Sequence, residues 1–276
     1  MAKRLMVYAL LAVFAAAAPL TGVTVARQGV AHASGIPRMS VSHYVNFTSS
    51  GTTVADLQNW AKQDAAVEDP YGDNGQCSPN YYSWPIQTTL DFGQPWYYNG
   101  LYGIRNWTKT FYSDAQLATF AEDYATAWYA AAGVCAHLTI AIGANNSNEC
   151  NQSSASCVYN TGYGMAGAVD SAEKVLKANK DPDLAKQIAI IGGSDIEDDG
   201  SNPNAGWDTF ALTENFINGF AAYNSANKTT YNLLDYGAAF PCNPGPYCGT
   251  SSEWTSDQLY QAAWGLGWDT PLPEVY

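Results

Sequence analysis

Four short apolar runs limit what this chain can fold into. They occupy 88–92 ("TTLDF"), 137–143 ("HLTIAIG"), 187–193 ("QIAIIGG") and 230–236 ("TYNLLDY"). They begin about 45–50 residues apart, and each gap holds a helical apolar pattern. Strands that alternate with helices predict an α/β fold, a parallel sheet covered by helices. The runs "LTIAI" and "IAII" carry almost no polar residues, as expected of strands buried on both faces. A first strand is expected within 40–47 ("SVSHYVNF").

The helices have readable starts. Thr53 to Asp56 has the form of a capping box, and Val54, Leu57 and Ala61 follow at helical spacing. Ser113 and Gln116 form another, ahead of Leu117, Phe120, Tyr124 and Trp128. Met165, Ala168, Val169, Ala172 and Leu176 mark a third helix, and Phe210, Thr213, Ile217 and Phe220 a fourth. The stretch 255–265 reads as helix, or as helix passing into strand. Between 93 and 112 the chain reads as a long loop rich in Trp and Tyr.

Two architectures fit this rhythm. One is a TIM-barrel-like (β/α)8 fold, the other a doubly wound open parallel sheet. The strand end "IIGGSD" lacks G-x-G-x-x-G, and G-x-x-x-x-G-K does not occur, which lowers the odds of a nucleotide-binding open sheet. Long polar and aromatic loops after the strands favour the barrel. Only five or six strands can be counted, so the barrel is expected to be incomplete or irregular.

Residues 1–33 read as a signal peptide. Lys3 and Arg4 form the basic start, 7–18 is an Ala-rich apolar core, and Ala31-His32-Ala33 fits a cleavage site. The remaining 34–276 is expected to be one secreted, monomeric domain, with no membrane association after cleavage. The first 33 residues hold three of the 12 basic residues and no acid. The remainder therefore has nine basic and 25 acidic residues, a net charge of −16. Such a surface repels nucleic acid and anionic membranes. All six cysteines lie in that part, and an even number in an exported chain reads as disulfides. Cys150 with Cys157 and Cys242 with Cys248 are near enough in sequence to staple single loops, leaving Cys77 with Cys135. Six cysteines allow about 15 pairings in all.

Chemistry is expected where the strands end, because the carboxyl ends of parallel strands converge on one face. The residues collected there are Asp91 and Gln94, Asn145 and Asn146, Asp195 and Glu197, Asp235 and Tyr236, and Trp264. The set is rich in carboxylates and amides. Outside the leader the chain has only His43 and His137, and it lacks G-x-S-x-G and H-E-x-x-H. A Ser-His-Asp triad and a His-rich zinc site are therefore disfavoured. Carboxylate chemistry remains, and glycoside hydrolysis is its leading reaction. In that scheme Glu197 is the acid and Asp195 its helper, with Asp235 or Asp91 acting across the cleft. Nine Trp and 19 Tyr suit sugar rings, and Trp96, Trp107 and Trp264 are candidate platforms.

The segment "GGSDIED" resembles the D-x-E strand of glycoside hydrolase-like TIM barrels, including bacterial lysozyme-like muramidases and chitinase-like enzymes. "TLDFGQPW" and "LTIAIGANNS" look like strand ends of exported bacterial proteins of that broad type. The resemblance spans Thr88 to Tyr276, and Asp195 and Glu197 match its catalytic pattern. The full chitinase-like pattern has further Gly and Asp residues before the acid pair, where this chain has Ile and Gly. The resemblance implies a hydrolase acting on an extracellular or cell-wall glycan, with no cofactor. Two other readings stand beside it. One is a non-catalytic carbohydrate-binding protein on a degenerate barrel. The other is a secreted protein with a structural calcium, since Asp195 to Gly200 has D-x-E-x-D-G spacing.

Overall fold

The computed structural model describes residues 40–47, 52–68, 86–132, 136–152, 154–179, 181, 183–197, 209–237, 254–265 and 269–271. The leader, Asp198, Asp199 and four of the cysteines (Cys77, Cys135, Cys242 and Cys248) lie outside them.

Six parallel strands form the main sheet: β1 (Ser40–Tyr44), β2 (Ile86–Asp91), β6 (Leu138–Asn145), β7 (Ile188–Asp195), β8 (Leu233–Asp235) and β9 (Asp269–Pro271). Each pairs with the next one in the chain. A doubly wound sheet needs a point where that order reverses, and these six strands have none. The packing agrees with the order. Helices α1 (Val54–Glu68), α2 (Asp114–Ala131), α3 (Ala155–Ala178), α5 (Phe210–Asn227) and α6 (Ser256–Tyr260) share one core with Leu90, Ile140, Ile142, Ile190 and Leu233. A short α4 (Leu184–Gln187) leads into β7. The expected α/β fold is present, and closure into a complete barrel is not seen among the described residues.

On the other face, the apolar cluster among the described residues is small: Ala141, Leu234 and Tyr236, all buried, with half-buried Ile191 against them. Here the expectation of strands buried on both faces fails for part of β7. Ile188 and Ile190 are buried under helices, but Ala189 between them is exposed and Ile191 half-buried. The apolar run cannot reveal this, because small apolar side chains leave the same signature whether or not a partner covers them.

The helix starts follow the sequence. Thr53 and Asp56 bond reciprocally, with the Asp56 N–H on Thr53 Oγ1 at 3.2 Å and the Thr53 N–H on Asp56 Oδ2 at 2.8 Å. Ser113 and Gln116 form the capping box of α2. Helices α3 and α5 touch backbone to backbone. A Cβ on Gly162 would lie 2.0 Å from the Phe216 carbonyl oxygen, and one on Gly219 1.9 Å from that of Tyr159.

The expected loop at 93–112 is instead a three-stranded antiparallel sheet: β3 (Gln94–Tyr98), β4 (Leu101–Arg105) and β5 (Phe111–Ser113). Its first turn is Asn99-Gly100, both at positive φ, the two-residue hairpin that favours that dipeptide. Among the described residues, Cys150 and Cys157 form a disulfide, as the spacing predicted. No described helix is long and apolar enough to cross a membrane.

Candidate active site

Strand parity decides which of the predicted residues share a face. Asp91, Gly143, Gly193 and Leu234 are register partners from strand to strand, and Asn145 partners Asp195. Ile142, Ala144 and Ile196 belong to the helix-side core. Their neighbours Asp91, Gly143, Asn145, Asp195 and Glu197 therefore face the other, inner side. Tyr236 follows Asp235, the partner of Ser194, and so comes beside Asp195 on that side.

Tyr236 lies across the inner face. Its hydroxyl donates to the Ala144 carbonyl at 3.1 Å. It can lie there because Gly143 and Gly193 have no side chains. A Cβ on Gly143 would meet the Tyr236 hydroxyl at 2.6 Å, and one on Gly193 would meet its ring at 3.1 Å. The same hydroxyl is close enough to Asp91 to hydrogen-bond it, and burial with Asp91, Asp195 and Tyr44 nearby holds the phenol far above its ordinary range. It is thus a permanent proton donor with two carboxylates and a second tyrosine around it.

Asp91 is the deepest of these acids, 2 % exposed. Oδ1 accepts the Gly93 N–H at 2.7 Å, while Oδ2 has no other fully formed hydrogen bond. Burial pushes the carboxyl up to about 7, and the Gly93 amide and the Tyr236 hydroxyl only partly offset that. Near neutral pH it is therefore divided between its protonated and ionised forms. Asp195 lies nearer the strand end and is 8 % exposed. Asn145 is 1 % exposed. Its Oδ1 accepts the Ser147 N–H at 3.1 Å, which turns Nδ2 the other way, buried and without a partner.

The remaining predicted residues separate from this group. Asp235 is buried in the row of Ala144 and Ser194, facing the helices. Its carboxyl accepts the Gly237 N–H at 3.1 Å and also the Ile196 N–H, and burial pushes it up to about 7. Asn146 is fully buried and bonded to the Glu197 backbone. Trp96 carries the Arg105 guanidinium 3.4 Å over its ring, so one face of that platform is taken. Arg105 also reaches Gln94 Oε1 at 3.4 Å. Trp107 and Trp264 are each 54 % exposed, and Trp264 stacks beside Tyr260 at 6.0 Å between centroids.

Set against protein-family models, curated proteins and solved structures, the chain matches none of them. The site therefore has to be read from its own geometry. Sequence reasoning missed Tyr44, which borders the phenol from β1. The signal for it was faint: a tyrosine in the same relative place on β1 as Asp91 on β2. Among the described residues no cluster of three or more His, Cys, Asp or Glu could hold a metal ion. Two acids of the calcium-like stretch, Asp198 and Asp199, lie outside those residues.

Proposed function

We propose that the protein is a secreted glycoside hydrolase, cleaving an extracellular or cell-wall glycan by carboxylate acid/base catalysis. The observation that carries the reading is that Asp91, Asp195 and Tyr236 share one face of the sheet at the carboxyl ends of parallel strands. We read the sheet as an irregular, TIM-barrel-like arrangement, because the strands run in chain order and all helices of the core pack on one face. The Cys150–Cys157 disulfide supports export.

In this mechanism Glu197, half-buried just past the end of β7, gives its proton to the glycosidic oxygen as the bond to the anomeric carbon breaks. Water then attacks that carbon, leaving a hydroxyl there and returning its other proton to the Glu197 carboxylate. Asp195, two residues earlier on the same face, orients Glu197 and stabilises the positive charge developing on the sugar. Asp91 and Tyr236 lie beneath as a buried proton reserve. A carboxyl held at about 7 keeps its proton below neutrality, so turnover that needs protonated Asp91 falls as pH rises through 7.

The test is release of reducing ends from soluble peptidoglycan and chitin oligosaccharides. Wild type is compared with Glu197→Gln and Asp91→Asn. The expected outcome is wild-type turnover and a loss of about 100-fold or more in each variant. Wild-type speed in Glu197→Gln would remove the acid assignment. A second reading, a carbohydrate-binding protein without turnover, is favoured by the exposed, nearly parallel Tyr260 and Trp264 rings. Tight binding of either glycan with no release of reducing ends would select it.

A further inference from the structure

We infer that Asn146 is a positioning residue that aims Glu197, rather than a group that meets the substrate. The inference rests on the reading of Glu197 as the acid. The regular ladder of β7 ends with the pairs Asn145–Asp195 and Ser194–Asp235. Past that point side chains take over from strands. Asn146 Oδ1 accepts the Glu197 N–H at 3.0 Å, and Asn146 Nδ2 donates to the Glu197 carbonyl at 2.8 Å. A carboxamide offers the same acceptor and donor as a peptide group, so Asn146 acts on Glu197 as one more residue of strand would. Its backbone N–H meanwhile donates to the Asp195 carbonyl at 3.1 Å.

These contacts matter because side-chain direction past Asp195 depends on an extended backbone. Ile196 is fully buried among the helices, and Glu197 points inward only while the chain stays extended through both residues. Asn146 is itself fully buried, and Nδ2 also reaches Thr213 Oγ1 at 3.3 Å, which sets the orientation of the amide. Asp could supply only the acceptor half of this pairing, and Ala neither half.

The experiment compares wild type, Asn146→Ala and Asn146→Asp in the full chain. Amide hydrogen exchange at Glu197 is measured by NMR, with kcat and KM on chitin oligosaccharides and soluble peptidoglycan. Asn146→Ala should speed exchange at Glu197 while amides in the middle of β6 and β7 keep their protection. It should also lower kcat by about 100-fold with KM changed by less than about threefold, as expected of a misaimed acid. Asn146→Asp, which keeps the acceptor, should retain part of the protection and part of the rate, and it carries the test if Asn146→Ala does not fold. Protection lost evenly along β6 and β7, or unchanged at Glu197, overturns the inference. So does a wild-type kcat beside an unprotected Glu197. Wild-type inactivity on both glycans, with Glu197 exchange still responding to Asn146, sinks the hydrolase reading and leaves the aiming of Glu197 standing.

Discussion

Replacing Asp91 with Asn should make the protein more stable at neutral pH and less active. The carboxyl is 2 % exposed, and burial raises it from 3.8 to about 7. A group raised on folding binds its proton more tightly in the native state. Its penalty is absent below the unfolded value and grows as pH rises towards the folded one. At about 1.36 kcal/mol per pH unit, the span from 3.8 to 7 corresponds to about 4 kcal/mol of lost stability above neutrality. Asn has the shape of the protonated acid and never ionises. Its Oδ1 can still accept the Gly93 N–H, now at 2.7 Å, so that backbone donor keeps its partner. Urea unfolding from pH 3 to pH 9 measures the effect. The two proteins should match near pH 3, diverge between pH 4 and 7, and differ by about 2–4 kcal/mol at pH 8, with Asp91→Asn the more stable. A variant less stable at pH 8, or a difference that does not depend on pH, would refute the argument. Gain of stability with loss of turnover is the expected mark of a carboxyl kept for chemistry rather than for folding.

Other outcomes follow from the same geometry. Tyr236→Phe removes a hydroxyl that lowers Asp91, so the Asp91 carboxyl should titrate above 7 in carboxyl NMR, and the alkaline fall in turnover should move up with it. In Gly143→Ala the new Cβ would lie 2.6 Å from the Tyr236 hydroxyl, and the phenol has no free side to move into. Unfolding should show a loss of about 1–3 kcal/mol. Asp114, the first residue of α2, is pushed up to about 7 by burial, and one of its oxygens lies 2.3 Å from where a Gly164 Cβ would be. Asp114→Asn should therefore gain stability above pH 7 and match wild type near pH 3, yet keep full turnover, in contrast to Asp91→Asn.

The alternation of strands and helices was legible in the sequence because each central strand is an apolar run ending in a polar residue, and each crossover helix repeats its apolar residues at helical spacing. The small sheet at 94–113 was not, although Asn99-Gly100 is a strong hairpin signal. Its strands are rich in Tyr and Trp, which also suit loops, and its apolar alternation is weak. In the site, the acids could be found but not sorted. Asp91, Asp195 and Asp235 all stand at strand ends, and only the register assigns the first two to the inner face and the third to the helices. The role of Asn146 depends on Asn145 pairing with Asp195, a contact fixed across strands and invisible along the chain. Composition could not show that Arg105 covers Trp96, since that contact joins two strands of a sheet that was itself unexpected.

The placement of the glycines ties these observations together. A covered face of a parallel sheet is ordinarily filled by branched side chains. Here the row Asp91, Gly143, Gly193 and Leu234 has two glycines at its centre, and one tyrosine from the next row fills the space above them. A Val at either glycine would pack the sheet better and would exclude the Tyr236 ring. Excluding the ring would leave Asp91 a buried carboxyl bonded by the Gly93 amide alone. The sheet thus gives up apolar contact where it gains a phenol between two carboxylates. The phenol fills the space and lowers Asp91, so the cost that remains is the raised Asp91 carboxyl itself. It has a physical purpose if the proton held there is used, and that is why Asp91, rather than the more conspicuous acids at the end of β7, is the first residue to replace.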